Sequence, residues 1–149
     1  MKSLFDKNTN DEIIDRIEKL TPTLKPLWGK LEVEQMLAHL NLSLQVNFGL
    51  IELKSGFLSL FFRGIARSIL LGHKPFPKHL PAPKKILSSG KSDFMTEKQN
   101  LMSLLKMYIE NGPTGLSKNP HNILGKITPE ESSFISYKHL DHHLRQFGV

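Results

Sequence analysis

The apolar pattern of this chain predicts an all-α fold, a four-helix bundle with an additional short helix and long loops. Three observations carry that expectation. Hydrophobic residues recur at spacings of three and four in four separate stretches, the period of a helix with one buried face. Helix-start signatures precede three of those stretches. No stretch alternates apolar and polar residues as a half-buried strand does, and no longer period repeats along the chain.

Thr9-Asn10-Asp11-Glu12 reads as a capping box ahead of EIIDRIEKL, in which Ile13, Ile14, Ile17 and Leu20 share a face; Pro22 stops that helix. Trp28-Gly29-Lys30 leads into LEVEQMLAHLNLSLQVNF, where Val33, Met36, Leu37, Leu40 and Leu44 form an amphipathic stripe. No Ser or Asp stands at Leu31 to cap it. Residues 57–71 are the most apolar stretch, with Ser59, Arg63 and Arg67 as a narrow polar strip. They are too short and too interrupted to cross a bilayer, so the helix is expected in the core or an oligomer interface. Gly72 ends it, and a loop through Gly90 holds Pro75, Pro77, Pro81 and Pro83. Thr96-Glu97-Lys98-Gln99 reads as a second capping box, opening QNLMSLLKMYIE with Leu101, Leu104, Leu105 and Tyr108 inward. Asn111-Gly112-Pro113 breaks it. Thr128-Pro129-Glu130-Glu131 combines a capping threonine, proline at the first helical position and glutamate at the third, the strongest helix start in the chain.

At 149 residues the chain has the length of a single domain, taken as 1–149, with one core. No cysteine is present, which excludes disulfides, thiolate metal ligands and a cysteine nucleophile, and fits a reducing compartment. The opening MKSLFDKNTNDE has no apolar run of signal-peptide length, so a cytoplasmic location without membrane association is expected. In that setting the sequon at Asn41-Leu42-Ser43 carries no meaning. Net charge is +6, yet the densest basic stretch, HKPFPKHLPAPKK at residues 73–85, lies in the proline-rich loop. That is a basic surface rather than a nucleic-acid footprint, which sets its charges on one face with aromatics between.

The last helix carries His139, His142 and His143, and helical geometry separates them. With Leu140 as origin, Leu144 lies at about +40° and Tyr137 at about +60°, while His143 falls near −60° and His139 near −100°. Phe134, Tyr137, Leu140, Leu144 and Phe147 thus form the buried stripe, with His139 and His143 on one shoulder, one turn apart. His142 points roughly 200° from Leu140, toward solvent. Asp141 and Arg145 form an i,i+4 pair on the other shoulder. In the second helix His39 falls about −100° from Leu40, beside Ser43 near −60°. If the two helices are neighbours, His39, His139 and His143 converge.

Three neutral imidazoles with one coordination position open is the donor set of a catalytic rather than a structural metal site. The open position accepts water or a substrate thiolate. Imidazole suits several divalent ions, with Zn, Ni or Fe as candidates. Glu32 is the one nearby carboxylate to weigh as base or fourth ligand, against its simpler role in the first helical turn. His121 is weighed as an outer partner of the site against a loop residue that caps or packs. His73 and His79 are taken as solvated, Trp28 as a loop anchor, and Met36, Met95, Met102 and Met107 as core or loop packing.

MLAHL on an early helix, followed about a hundred residues later by HLDHHLRQF, resembles the DinB-like (YfiT-like) metalloprotein superfamily. More narrowly, the chain resembles an uncharacterised subfamily in which Trp28-Gly29-Lys30, PHNILGKITPEE and HLDHHLRQFG recur, a likeness running from Leu20 to Gly148. The resemblance implies a four-helix bundle whose metal ligands match His39, His139 and His143, often assembled as a homodimer. It also implies kinship with thiol-dependent S-transferases and a mycothiol-dependent isomerase, in which a metal activates a thiol. The proline-rich loop at 73–90 departs from that pattern.

Three functions follow as expectations. The first is a metal-dependent transferase or hydrolase acting on a small molecule, with any attacking sulfur supplied by a low-molecular-weight thiol cosubstrate, since the chain has none to offer. The second is a metal-binding protein without chemistry. The third is a basic, dimeric interaction module, for which salt-sensitive binding independent of the histidines is the signature.

Overall fold

In the computed structural model the described residues are 1–52, 59–78 and 93–149. Five helices lie among them: α1 Lys7–Glu18, α2 Val33–Asn47, α3 Ser59–Leu71, α4 Phe94–Asn111 and α5 Pro129–Gln146. A 3-10 turn, Pro113–Gly115, follows α4. There is no strand among the described residues, only an isolated bridge between His121 and Gly125. The all-α expectation holds. No helix among the described residues is long and apolar enough to cross a membrane.

Two helix starts differ from the sequence reading, in the same way. Asp6, not Thr9, caps α1, accepting from the Thr9 amide at 2.9 Å. Asp93, not Thr96, caps α4, accepting from the Thr96 amide at 2.8 Å and its hydroxyl at 2.7 Å. In both cases the predicted capping threonine is the third residue of the helix. An aspartate three residues ahead adds a negative charge at the positive end of the helix. Asn10 donates from Nδ2 to the carbonyls of Leu4 at 3.0 Å and Leu105 at 2.9 Å, which needs the first turn of α1 already formed. Glu32 occupies the uncertain cap of α2, its amide donating to Gln35 Oε1 at 3.0 Å. At α5 the predicted box forms: Glu131 N–H donates to Thr128 Oγ1 at 3.1 Å and Thr128 N–H to Glu131 Oε2 at 2.9 Å.

The predicted stripes meet in one core. Ile13 and Ile17 of α1, Met36, Leu37 and Leu40 of α2, Leu101, Leu105 and Tyr108 of α4, and Leu140 and Leu144 of α5 are fully or almost fully buried. Each such side chain contributes about 1.5–3 kcal/mol on leaving water. α2 packs against α4 and α5, and α1 against the same pair. Asn41, of the sequon, is buried and donates to the Glu97 carbonyl at 2.8 Å, tying α2 to α4.

Of the two places expected for the 57–71 helix, the core or an oligomer interface, the described side chains of α3 speak against the core. None of its described side chains, residues 63–71, belongs to the core, and Ile65 is 65% exposed. It lies against α5 instead, fastened by Lys138. The Lys138 ammonium donates to the carbonyls of Ile69 at 2.8 Å, Leu70 at 3.3 Å and Gly72 at 2.6 Å, satisfying the open C-terminal end of α3. The rings of Phe76 and Phe134 face the same ammonium at 4.7 and 5.6 Å. Desolvation holds its pKa below the ordinary lysine value. Arg67 adds an ion pair to Glu131 at 2.6 Å. α3 thus forms a wall over α5, with a cleft between them.

Candidate metal centre

α2 and α5 are neighbours, and the three predicted rings meet across them. His39 and His139, a hundred positions apart, place their Nε2 atoms 2.8 Å from each other. The ring centroids are 4.6 Å apart for His39–His139 and 4.9 Å for each pair with His143. One donor nitrogen from each ring lies within 4.8 Å of the others. His143 is buried, and His39 and His139 are half-buried.

The outer nitrogens decide which way the lone pairs face. Trp28 offers a carbonyl, which can only accept, so the Gln146 group at 2.7 Å from it is the amide Nε2. Gln146 Oε1 therefore faces His143, and the His143 Nδ1–H donates to it at 2.8 Å. That tautomer leaves the His143 Nε2 lone pair for the cluster. His139 Nδ1 stands 3.2 Å from Ser43 Oγ, which can accept in the same sense. His39 Nδ1 is buried with no partner among the described residues.

Burial, followed by the His142 ring, lowers the pKa of His39 to about 4. Burial, followed by His39, lowers that of His143 to about 3. His139 is held well below its ordinary value by burial and then by His39 and His143. All three are neutral near pH 7, the state a metal ligand requires. A tetrahedral ion with bonds of 2.0–2.1 Å needs donors about 3.3 Å apart, so His39 and His139 must part by roughly half an ångström to admit one. The donor set fits a divalent ion with a position left open, and it contains no carboxylate or thiolate to close the sphere.

His142 corrects the helical-wheel reading. It does not face bulk water but lies half-buried beside the cluster, 5.1 Å from the His143 ring. Phe76 at 6.0 Å and Trp28 at 5.9 Å close over it. The loop anchor Trp28 is thus also part of the site's rim, with Lys78 Nζ 4.6 Å above its ring. Glu32 is an exposed helix cap and does not line the cleft, so it is neither ligand nor base in this arrangement. His121 is a turn residue that also lines the cleft: Nδ1 accepts from the amides of Ile123 at 3.2 Å and Leu124 at 3.1 Å. His73 is exposed, and His79 lies outside the described residues. Met36 is core, Met102 and Met107 pack on it, and Met95 is exposed.

Two contributors escaped the sequence reading. Gln146 carried a signal, standing at i+3 from His143 on the same shoulder of the helix. Phe76 carried none, because it arrives from the segment after α3. The cluster opens into a cleft of about 1260 Å³ between α2, α3, α5 and the segment joining α4 to α5. Neither a protein-family model, nor a curated protein, nor a solved structure matches this chain.

Proposed function

We propose that this protein is a four-helix-bundle metalloprotein of the DinB-like kind, in which His39, His139 and His143 hold one divalent ion, Zn, Ni or Fe. One observation carries the reading: three donor nitrogens from two helices lie within 4.8 Å of one another, and their rings line a cleft. The reaction class is transfer of a low-molecular-weight thiol to a small electrophile, or hydrolysis of a small molecule. The bound ion supplies Lewis acidity to a nucleophile held in the cleft. The protein's own residues supply the rest. Gln146 and Ser43 orient two of the rings, while Phe76 and Trp28 restrict water at the rim. A pairing of two copies through the exposed Ile65 face of α3 belongs to the same reading, and sedimentation analysis tests it.

Elemental analysis of protein purified without a histidine tag tests the site. One equivalent of metal is expected in the wild type and in His142→Ala, with little or none in His39→Ala, His139→Ala or His143→Ala. Metal lost equally from His142→Ala and His143→Ala would remove the assignment. A screen of low-molecular-weight thiols with electrophiles then tests the reaction, which should vanish in His39→Ala.

A further inference from the structure

The cleft has two properties that together define a ligand class. The first is charge. Three neutral imidazoles bring no negative charge to a dication, and the one acidic residue among the described residues lining the cleft is Glu52, exposed and bonded to Asn119 at 3.0 Å. Asp141, next to the histidines in sequence, is engaged by Arg16 at 2.9 Å and Arg145 at 3.6 Å. A dication in that pocket keeps its full charge until an anion arrives, a costly state away from water.

The second property is the wall. Leu42 and Val46 of α2, Ile69 and Leu70 of α3, and Ile127 and Ile135 present aliphatic surface to the cleft. His39, Leu42 and Val46 stand at i, i+3 and i+7, so the apolar strip continues from the histidines for about 11 Å along α2 at 1.5 Å per residue. Ser43 and Asn47 also line this stretch but bond His139 at 3.2 Å and Ser136 at 2.6 Å, so a polar substrate body would find few free partners along it.

We propose that the cleft binds an amphiphilic monoanion, with its anionic head at the three histidines and its apolar body against Leu42, Val46 and Ile135. The head-group half rests on the metal reading above; the body half rests on the cleft itself. The head supplies the negative charge that the donor set lacks. The body displaces water from the aliphatic part of the wall, which cannot bond it.

Calorimetric titration of the zinc-loaded chain with butyrate, hexanoate and octanoate, and with hexanol as the uncharged counterpart, tests this. Affinity should rise at least two-fold per added methylene, against the roughly four-fold that complete burial gives. Hexanoate should bind roughly tenfold tighter than hexanol, as expected for a charge-assisted contact. Val46→Asp and Leu42→Asn should each flatten the chain-length series while zinc content and far-UV dichroism stay at wild-type values. A flat series in wild-type protein that holds zinc overturns the inference and leaves the metal reading standing. Equal binding of hexanoate and hexanol overturns the head-group assignment. Protein that takes up no zinc overturns the metal reading itself, and elemental analysis shows this before any titrant is added.

Discussion

The side-chain carbonyl of Gln146 accepts from the Nδ1–H of His143 at 2.8 Å, one turn further along α5. The other end of that amide donates to the Trp28 carbonyl at 2.7 Å, so its orientation is set from outside the helix. A loop residue thus determines which nitrogen of a buried imidazole faces the cluster. Gln146→Leu should therefore weaken metal binding about 10–100-fold, read by competition with a chromophoric chelator. Gln146→Glu, which keeps the acceptor, should retain most of the affinity. Equal losses in both variants would mean that packing, not the hydrogen bond, is what matters.

Gly29 bears on the same contact. Its φ is +82°, and a Cβ there would meet Gln146 Nε2 at 2.7 Å. Gly29→Ala is expected to cost about 1–3 kcal/mol in urea unfolding, from the left-handed backbone alone. It should also lower metal affinity by displacing the amide, whereas a loss of stability with unchanged affinity would detach this glycine from the site.

The histidines tie stability to pH. They ordinarily titrate near 6.5, but in the fold His39 is lowered to about 4, His143 to about 3, and His139 well below its usual value. Between those limits the unfolded chain binds more protons than the folded one, so unfolding becomes easier as pH falls. The contribution is complete above pH 6.5 and is lost on the way down. Each histidine that titrates only in the unfolded chain adds about 1.4 kcal/mol per pH unit, less for the half-buried His39 and His139. Urea midpoints of metal-free protein should drop on acidification, with a shallower slope in His143→Leu. Identical slopes would contradict the buried neutral state.

Lys138 fastens α3 through three carbonyls, while residues 63–71 of that helix give no side chain to the core. Lys138→Met should leave those acceptors unpaired, a loss of about 1.5–3 kcal/mol for the charged hydrogen bonds. The expected readout is local: faster amide exchange over residues 66–72, with a small change in global melting. Uniformly faster exchange would show that α3 and the core unfold together.

The faces of four helices were legible in the chain because each depends on local period alone. Leu40, Leu105 and Leu140 are all at 0% exposure, where a helical spacing of three and four places them. The cap at Thr128 was legible for the same reason, since both partners of its box lie within four residues. At α1 and α4 the sequence reading put the cap at Thr9 and Thr96, three residues past the aspartates that hold it. At α1 the first turn is also tied by Asn10 to Leu105, ninety-five positions away. Hydrophobicity alone did not settle α3, because an apolar helix is buried only where the packing gives it a partner.

Within the site, the wheel placed His39, His139 and His143 on facing shoulders from residue spacing alone. That they share one point was decided by α2 lying against α5, a relation between residues a hundred positions apart. His142 shows the same division. Its direction from the buried stripe followed from the helix, but its shelter came from Phe76 and Trp28, which reach it from two other segments. Periodicity along one chain segment specifies which way a side chain points; only the packing of distant segments specifies what it meets there.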